Sequence, residues 1–146
     1  MRFIAVLTLL LLLVSCSDLT EAGMNDEEQI IAVLENIRLA FNLSDEAAIL
    51  AEYHPEFLHN GYSLEEEQQL WDSRLNNYVE MSYSDMSVNF SASNFACVTF
   101  ILQLLSPDGI DFWQEPSTEN GDLSYFYKSG TGWKIYGNQE EFKKED

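Results

Sequence analysis

The chain has 146 residues, with 25 acidic and 7 basic side chains and a formal charge of −18. A surface of that sign repels phosphate backbones, which argues against a nucleic-acid partner. It repels anionic lipid headgroups equally, so any membrane contact has to come from something other than the protein surface.

Residues 1–16 read MRFIAVLTLLLLLVSC. Arg2 is a minimal positive head, and from Phe3 to Val14 only Thr8 is polar. The run falls short of the about 20 apolar residues a spanning helix needs and suits the hydrophobic part of a secretory signal. Leu13, Val14, Ser15 and Cys16 resemble the lipobox of bacterial lipoproteins. The resemblance implies that residues 1–15 are a signal peptide and that Cys16 is the site of lipidation. It also implies a protein in the extracytoplasmic cell envelope, lipid-anchored to the inner or outer membrane. The other readings of these residues are a secreted protein cut near Ser15 or Cys16 and an intact N-terminal anchor. Residues 16–24 read as the lipidated cysteine and a flexible tether, 25–140 as one domain and 141–146 as a charged tail. Losing Arg2 with the leader brings the charge to −19. With Cys16 lipidated, Cys97 is the only thiol, so no intramolecular disulfide forms, and its apolar surroundings predict an inert, buried small hydrophobe.

Asn25 and Glu28 form a capping box, and Ile30, Val33, Leu34, Ile37 and Phe41 keep a 3.6-residue period, predicting a helix over 26–41. Ser44 is read as the cap of a short second helix over 45–52, which Pro55 stops. Ser63 and Glu66 make a second capping box, opening a helix over 64–79 with Leu64, Glu67, Trp71, Leu75 and Tyr78 at helical spacing. Its acids, Glu65, Glu66 and Glu67, read as a solvated helix start, where carboxylates meet unpaired N–H groups.

After Tyr83 the period changes to two. Met86, Val88 and Phe90 mark a half-buried strand. Residues 95–105 are apolar on both faces and predict a central strand, and Pro107-Asp108-Gly109 supplies a turn into a strand over 110–115. Further strands follow over 123–129 and 133–136. Helices first and an antiparallel meander after them give an α+β domain, with helices packed on one face of a curved sheet.

Residues 40–61, AFNLSDEAAILAEYHPEFLHNG, resemble the opening of SnoaL-like and DUF4440-type members of the NTF2-like superfamily, through Phe41, Tyr53, His54, Pro55, Glu56, Phe57 and Gly61. Gly132, Trp133, Lys134, Ile135 and Tyr136 resemble the final strand of that superfamily. The resemblance spans roughly residues 26–138. It implies a cone of three N-terminal helices on a curved, mainly antiparallel sheet enclosing a pocket, and in many members a homodimer through the outer face of the sheet. Activity does not follow from the fold.

Ligand-pocket candidates are Tyr53, His59, Trp71, Tyr83, Asp111, Trp113, Glu115, Tyr125, Tyr127 and Trp133. No catalytic residue is assigned. His59 sits before Gly61, in a loop near the cavity mouth of related folds. On the 110–115 strand, Asp111, Trp113 and Glu115 share one face and Ile110 and Phe112 the other, and the sequence leaves open which looks inward. The aromatic residues suit an apolar or aromatic small molecule. No metal-ligand spacing, phosphate loop or nucleotide fingerprint is present, and no cofactor is expected. Three readings stand: a membrane-anchored small-molecule-binding or interaction domain, an isomerase- or cyclase-like enzyme using a pocket carboxylate or histidine, and a structural accessory of the envelope.

Overall fold

A computed structural model describes residues 23–117 and 123–141. The signal sequence and Cys16 lie outside the described residues, and no described helix is long and apolar enough to cross a membrane.

Helix α1 spans Asp26–Asn42 and buries Ile30, Val33, Leu34, Ile37, Ala40 and Phe41. Its capping box is complete. Asn25 Oδ1 accepts from the Glu28 amide at 3.0 Å, and Glu28 Oε2 accepts from the Asn25 amide at 2.8 Å. Helix α2 is a short turn, Glu46–Leu50, and its cap is Asp45, whose side chain accepts from the Ala48 amide. Ser44, expected in that role, sits one residue outside with φ 55°. A two-residue hairpin follows, β1 (Leu58–His59) and β2 (Tyr62–Ser63). Its loop puts Asn60 and Gly61 at positive φ, which asparagine and glycine tolerate best. The strands are too short for periodicity to reveal them, and the sequence reading contained no such hairpin.

Helix α3 spans Leu64–Asn77. Ser63 donates through both its amide and its hydroxyl to Glu66 Oε2, fixing the start. Its buried residues are Glu67, Trp71 and Arg74. Two charges in a stripe with a tryptophan is the unusual feature of this helix, since Glu and Arg are almost never fully buried unless paired.

The main sheet comprises β3 (Glu80–Ala92), β4 (Phe95–Ser106), β5 (Gly109–Glu115), β6 (Tyr125–Ser129) and β7 (Gly132–Ile135), all antiparallel. β4 is central. β3 lines one edge, while β6 and β5 share the other, end to end. β3 begins earlier than its alternating pattern suggests because a bulge between Ser84 and Ser87, with Asp85 at φ 54°, shifts the parity midway. Residues 52–54 extend the sheet past β7 through a parallel bridge between Tyr53 and Ile135.

Alternation on β4 separates the faces. Ala96, Val98, Phe100, Leu102 and Leu104 are buried against the helices, whereas Phe95 and Thr99 are exposed and Cys97, Ile101, Gln103 and Leu105 half-buried on the other side. The strand is central, as its apolar run predicts, and the helices cover one of its faces. The inner residues and α1 make one apolar core with Phe41, Ile49, Phe126 and Ile135. Each Val, Leu, Ile, Phe or Met side chain there contributes about 1.5–3 kcal/mol by leaving water.

Candidate functional site

The register between β4 and β5 settles which face of β5 looks inward. Leu102 lies opposite Trp113, Leu104 opposite Asp111 and Phe100 opposite Glu115. Paired residues share a face, so Asp111, Trp113 and Glu115 take the inner side. Ile110 and Phe112 are 52% and 63% exposed on the outer side. Glu115 is 2% exposed, despite its charge.

A cavity of about 740 Å³ opens between β5 and the second half of α3. Leu70, Tyr78, Trp113 and Pro116 give it apolar walls, and Ser73, Arg74, Asn77, Gln114, Glu115 and Ser117 give it polar ones. Glu115 is braced at the strand end, where its Oε2 accepts from the Ser117 amide at 3.1 Å. Tyr78 stands at the rim. Its hydroxyl donates to Asp111 Oδ2 at 2.7 Å, and its ring meets Trp113 edge-on at 6.1 Å. The Asp111 carboxylate holds the Tyr78 phenol above its ordinary pKa, because losing that proton would set two negative charges side by side. Beyond Tyr78 a shallower groove of about 590 Å³ runs along Asn76, Asn77, Asp108, Ile110 and Asp111.

Behind the cavity wall lies a buried polar chain. The Trp71 indole N–H donates to the Tyr53 hydroxyl at 2.8 Å, and that hydroxyl donates to Glu67 Oε1 at 3.1 Å. Glu67 Oε1 pairs with Arg74 Nη1 at 3.7 Å. The Arg74 guanidinium lies 4.6 Å from the Trp71 ring centre and 5.4 Å from that of Trp113, close enough for cation–π attraction to both. Burial, then the negative charge of Glu67, pushes the Tyr53 phenol well above its usual value, so it stays a neutral donor. Helical spacing explains the arrangement, since positions 67, 71 and 74 are i, i+4 and i+7 on one stripe.

The sequence candidates therefore divide. Trp113 and Glu115 line the cavity, and Asp111 stands at its rim. Tyr53 and Trp71 are buried behind it, supporting Arg74 through Glu67. Tyr83 is on the inner face of the sheet beside Phe100, its hydroxyl donating to Met81 Sδ at 3.3 Å, and burial drives its phenol far upward. Three candidates lie elsewhere. Tyr125 and Tyr127 pair with Cys97 and Phe95 on the outer face, the opposite parity from Phe126, which fills the core. His59, expected near the cavity mouth, is 1% exposed and packs beside Tyr125 at 5.9 Å, with its Nδ1 accepting from the Asn138 amide. The β1–β2 hairpin folds it away from the pocket. Trp133 is at the far end of the sheet, donating to Asp26 at 3.1 Å, beside a recess of about 90 Å³.

Arg74 and Tyr78 were missed as site residues, and Glu67 was read as part of a solvated helix start although it is fully buried. The signal for Glu67 was its place in the stripe of Leu64, Trp71, Leu75 and Tyr78. Among the described residues no three His, Cys, Asp or Glu side chains come together as a metal site.

No protein-family model and no curated protein matches the sequence. Solved structures match the fold. An NTF-2 like protein of unknown function from Shewanella oneidensis superposes with a TM-score of 0.60 at 14% identity, covering 76% of this chain and 94% of that one. A scytalone dehydratase-like protein from Novosphingobium aromaticivorans gives 0.57 at 10% identity, covering 76% and 79%. Bdellovibrio bacteriovorus Bd1075 gives 0.59 at 16% identity; the match covers 75% of this chain and 38% of that longer one. The chain has the NTF2-like α+β cone fold.

Proposed function

We propose that this chain is a small-molecule-binding domain held at the extracytoplasmic face of a bacterial membrane by lipid on Cys16. The observation that carries the binding reading is the cavity of about 740 Å³ between α3 and β5, within the ordinary size range for a ligand site. Its aromatic wall and converging polar groups are the features such sites share. Support for the anchored orientation comes from the chain path. Helix α1 begins at Asp26, which bonds Lys128 and Trp133 near the β3–β4 hairpin. The cavity sits alongside residues 100–104 of β4, roughly 15–30 Å further along at about 3.3 Å per residue. A tether joined at residue 25 would meet the domain at the end of the sheet away from the cavity, which suits a cavity open to soluble ligands.

The test is a screen of water-soluble aromatic compounds against the full chain, followed by Trp113 fluorescence and thermal shift. Expected is saturable binding that Trp113→Leu weakens at least tenfold in a chain that still folds. No binding by any compound, with the cavity blocked by the chain's own side chains, would overturn the reading. Metabolic labelling with an alkyne fatty acid checks the anchor, and Cys16→Ser is expected to abolish labelling.

A second reading rests on Glu115. A buried carboxylate in a cavity wall is what a proton-shuttling isomerase or cyclase requires, and a dehydratase-like protein shares the fold. It predicts deuterium exchange at a carbon of a bound ligand in heavy water, lost in Glu115→Gln. Demonstrated binding without exchange would leave binding alone.

A further inference from the structure

We propose that the cavity and the groove beyond Tyr78 are two halves of one site for an aryl glycoside, with the aromatic ring against Trp113 and the sugar ring along the groove. This rests on the binding reading above and adds the second half of the ligand to it.

Three observations carry it. The first is that the two spaces are continuous. The cavity of about 740 Å³ takes residues 113–117 as one wall, the groove of about 590 Å³ takes residues 106–111, and both take Asn77 and Tyr78 from the end of α3. They follow one another along β5. Asp111 and Gly109 lie roughly 7 and 13 Å from Trp113 at about 3.3 Å per residue, which is the reach of a sugar ring joined to an aromatic one. The second is the junction. The Tyr78 hydroxyl donates to Asp111 Oδ2 at 2.7 Å, and the Tyr78 ring meets Trp113 edge-on at 6.1 Å. That bond ties the end of α3 to β5 where the spaces meet, so aromatic surface continues from the cavity to the start of the groove.

The third is what the groove offers a ligand. Asn76 and Asn77 commit their amide nitrogens to their own helix. Asn76 Nδ2 donates to the Asp72 carbonyl at 2.8 Å and reaches Asp72 Oδ1, while Asn77 Nδ2 donates to the Ser73 carbonyl at 2.8 Å and reaches Ser73 Oγ. Each is left with its side-chain oxygen, an acceptor, for a ligand. The Ser106 hydroxyl, which could donate, already donates to the Gly109 carbonyl at 3.2 Å. The carboxylates of Asp108 and Asp111 only accept, and the last carbonyls of α3 have no partner within the helix. The groove is therefore a row of acceptors, and its complement is a ring bearing several donors. An ammonium group is a donor too, but Asp108 and Asp111 are exposed, and water and salt screen a lone ion pair in an open groove. Several hydroxyls, each meeting an acceptor, suit it better than one charge.

The experiment is calorimetric titration of the full chain with four probes. Phenyl β-glucoside and phenyl β-galactoside carry the sugar, 2-phenoxytetrahydropyran has the same two rings without hydroxyls, and 2-phenoxyethylamine replaces the sugar by a charge. The better glycoside is expected to bind at least tenfold tighter than 2-phenoxytetrahydropyran, about 1.4 kcal/mol, and tighter than the amine. Asn76→Ala combined with Asp108→Ala, both at exposed positions, is expected to bring that glycoside to the level of 2-phenoxytetrahydropyran and leave the latter unchanged. Equal affinities for the glycosides and the hydroxyl-free ether, an amine tighter than both glycosides, or an unaltered ratio in the double variant would overturn the proposal while leaving the cavity a binding site. Absence of binding by all four probes would also overturn it, and the broader screen then decides the binding reading separately. The comparison in the unmodified chain needs no variant, so the proposal stays falsifiable if the double variant does not fold.

Discussion

Glu67 is the residue whose loss should cost most. Removing one member of a buried ion pair takes a counter-charge from the other, at about 3–5 kcal/mol, whereas replacing both with apolar groups of similar volume is often neutral. Glu67→Ala is thus expected to lower urea stability by about that amount, and Glu67→Leu with Arg74→Met to recover most of it. If both behave alike, the pair at 3.7 Å is not an energetic unit. The same double variant removes the support under Trp113, so ligand affinity should stay low after stability returns, separating folding from binding. A second residue-scale expectation concerns acid. The Asp26 carboxyl is held below its ordinary value of 3.8 by hydrogen bonds from Lys128 and then from Trp133, and that of Glu66 below 4.5 by the Ser63 amide and hydroxyl. A carboxyl depressed in the folded state adds stability above its unfolded pKa and loses it as pH falls through the folded one. Asp26→Asn should therefore flatten the decline of Tm below about pH 4 and leave the neutral plateau with a uniform offset. An acid limb unchanged in slope would mean that Asp26 is not linked to folding.

Among the elements, the terminal segment 136–140 depends most on one residue. The Leu58 amide donates to the Tyr136 carbonyl, the Gln139 amide to Leu58 and the Gly61 amide to Glu140, so this segment clamps the β1–β2 hairpin. Gly137 makes the clamp fit, at φ 76° and with so little room that an added Cβ would run into the Leu58 carbonyl. Gly137→Ala should cost more than the about 1–2 kcal/mol of a left-handed conformation and release amide exchange at residues 58–63 before the core. Exchange lost uniformly would show the hairpin to be part of the global unfolding unit. What was legible in sequence follows the same division. The capping boxes at Asn25 and Ser63, the stripe of α1 and the turns at Pro107 and Gly132 are local signals, and the elements they mark are where the pattern put them. The face of β5 was not local: aromatic residues stand at both parities, and only the register against Leu102 and Leu104 orients it. His59 was misplaced for a similar reason, because two-residue strands carry no period and the hairpin's partners lie some 80 residues away. Arg74 escaped notice because a basic residue near a helix end ordinarily faces water, and the acid that lets it stay buried lies two turns earlier.

For the whole molecule, the distribution of charge limits how two copies can meet. A chain of −18 approaching its like is repelled at most of its surface. The outer face of the sheet is the exception. Along β3, β4 and β5 it presents Ser82, Ser84, Ser87, Asn89, Cys97, Thr99, Ile101, Gln103, Leu105, Ile110, Phe112 and Gln114, with Glu80 at one end. Ile110 and Phe112 are more than half exposed there, and β5 has its outer edge near them. A sparsely charged, partly apolar face, with Glu80 at one end and Asp85 in the β3 bulge, suits an isologous contact on an acidic molecule, in which the same patch meets itself and few acids must be desolvated. We propose a homodimer through this face, leaving the cavity on the inner side of each sheet open. Sedimentation at micromolar concentration should show a dimer that Phe112→Glu converts to monomer, because a carboxylate at the centre of a two-fold contact faces its own copy. Salt supplies a second arm, since what opposes association is repulsion between the remaining surfaces. Raising ionic strength from about 0.01 to 0.15 M shortens the screening length from roughly 30 to 8 Å and should tighten the dimer. A contact held by ion pairs would weaken under the same change, and a chain monomeric at both salt concentrations would refute the dimer outright.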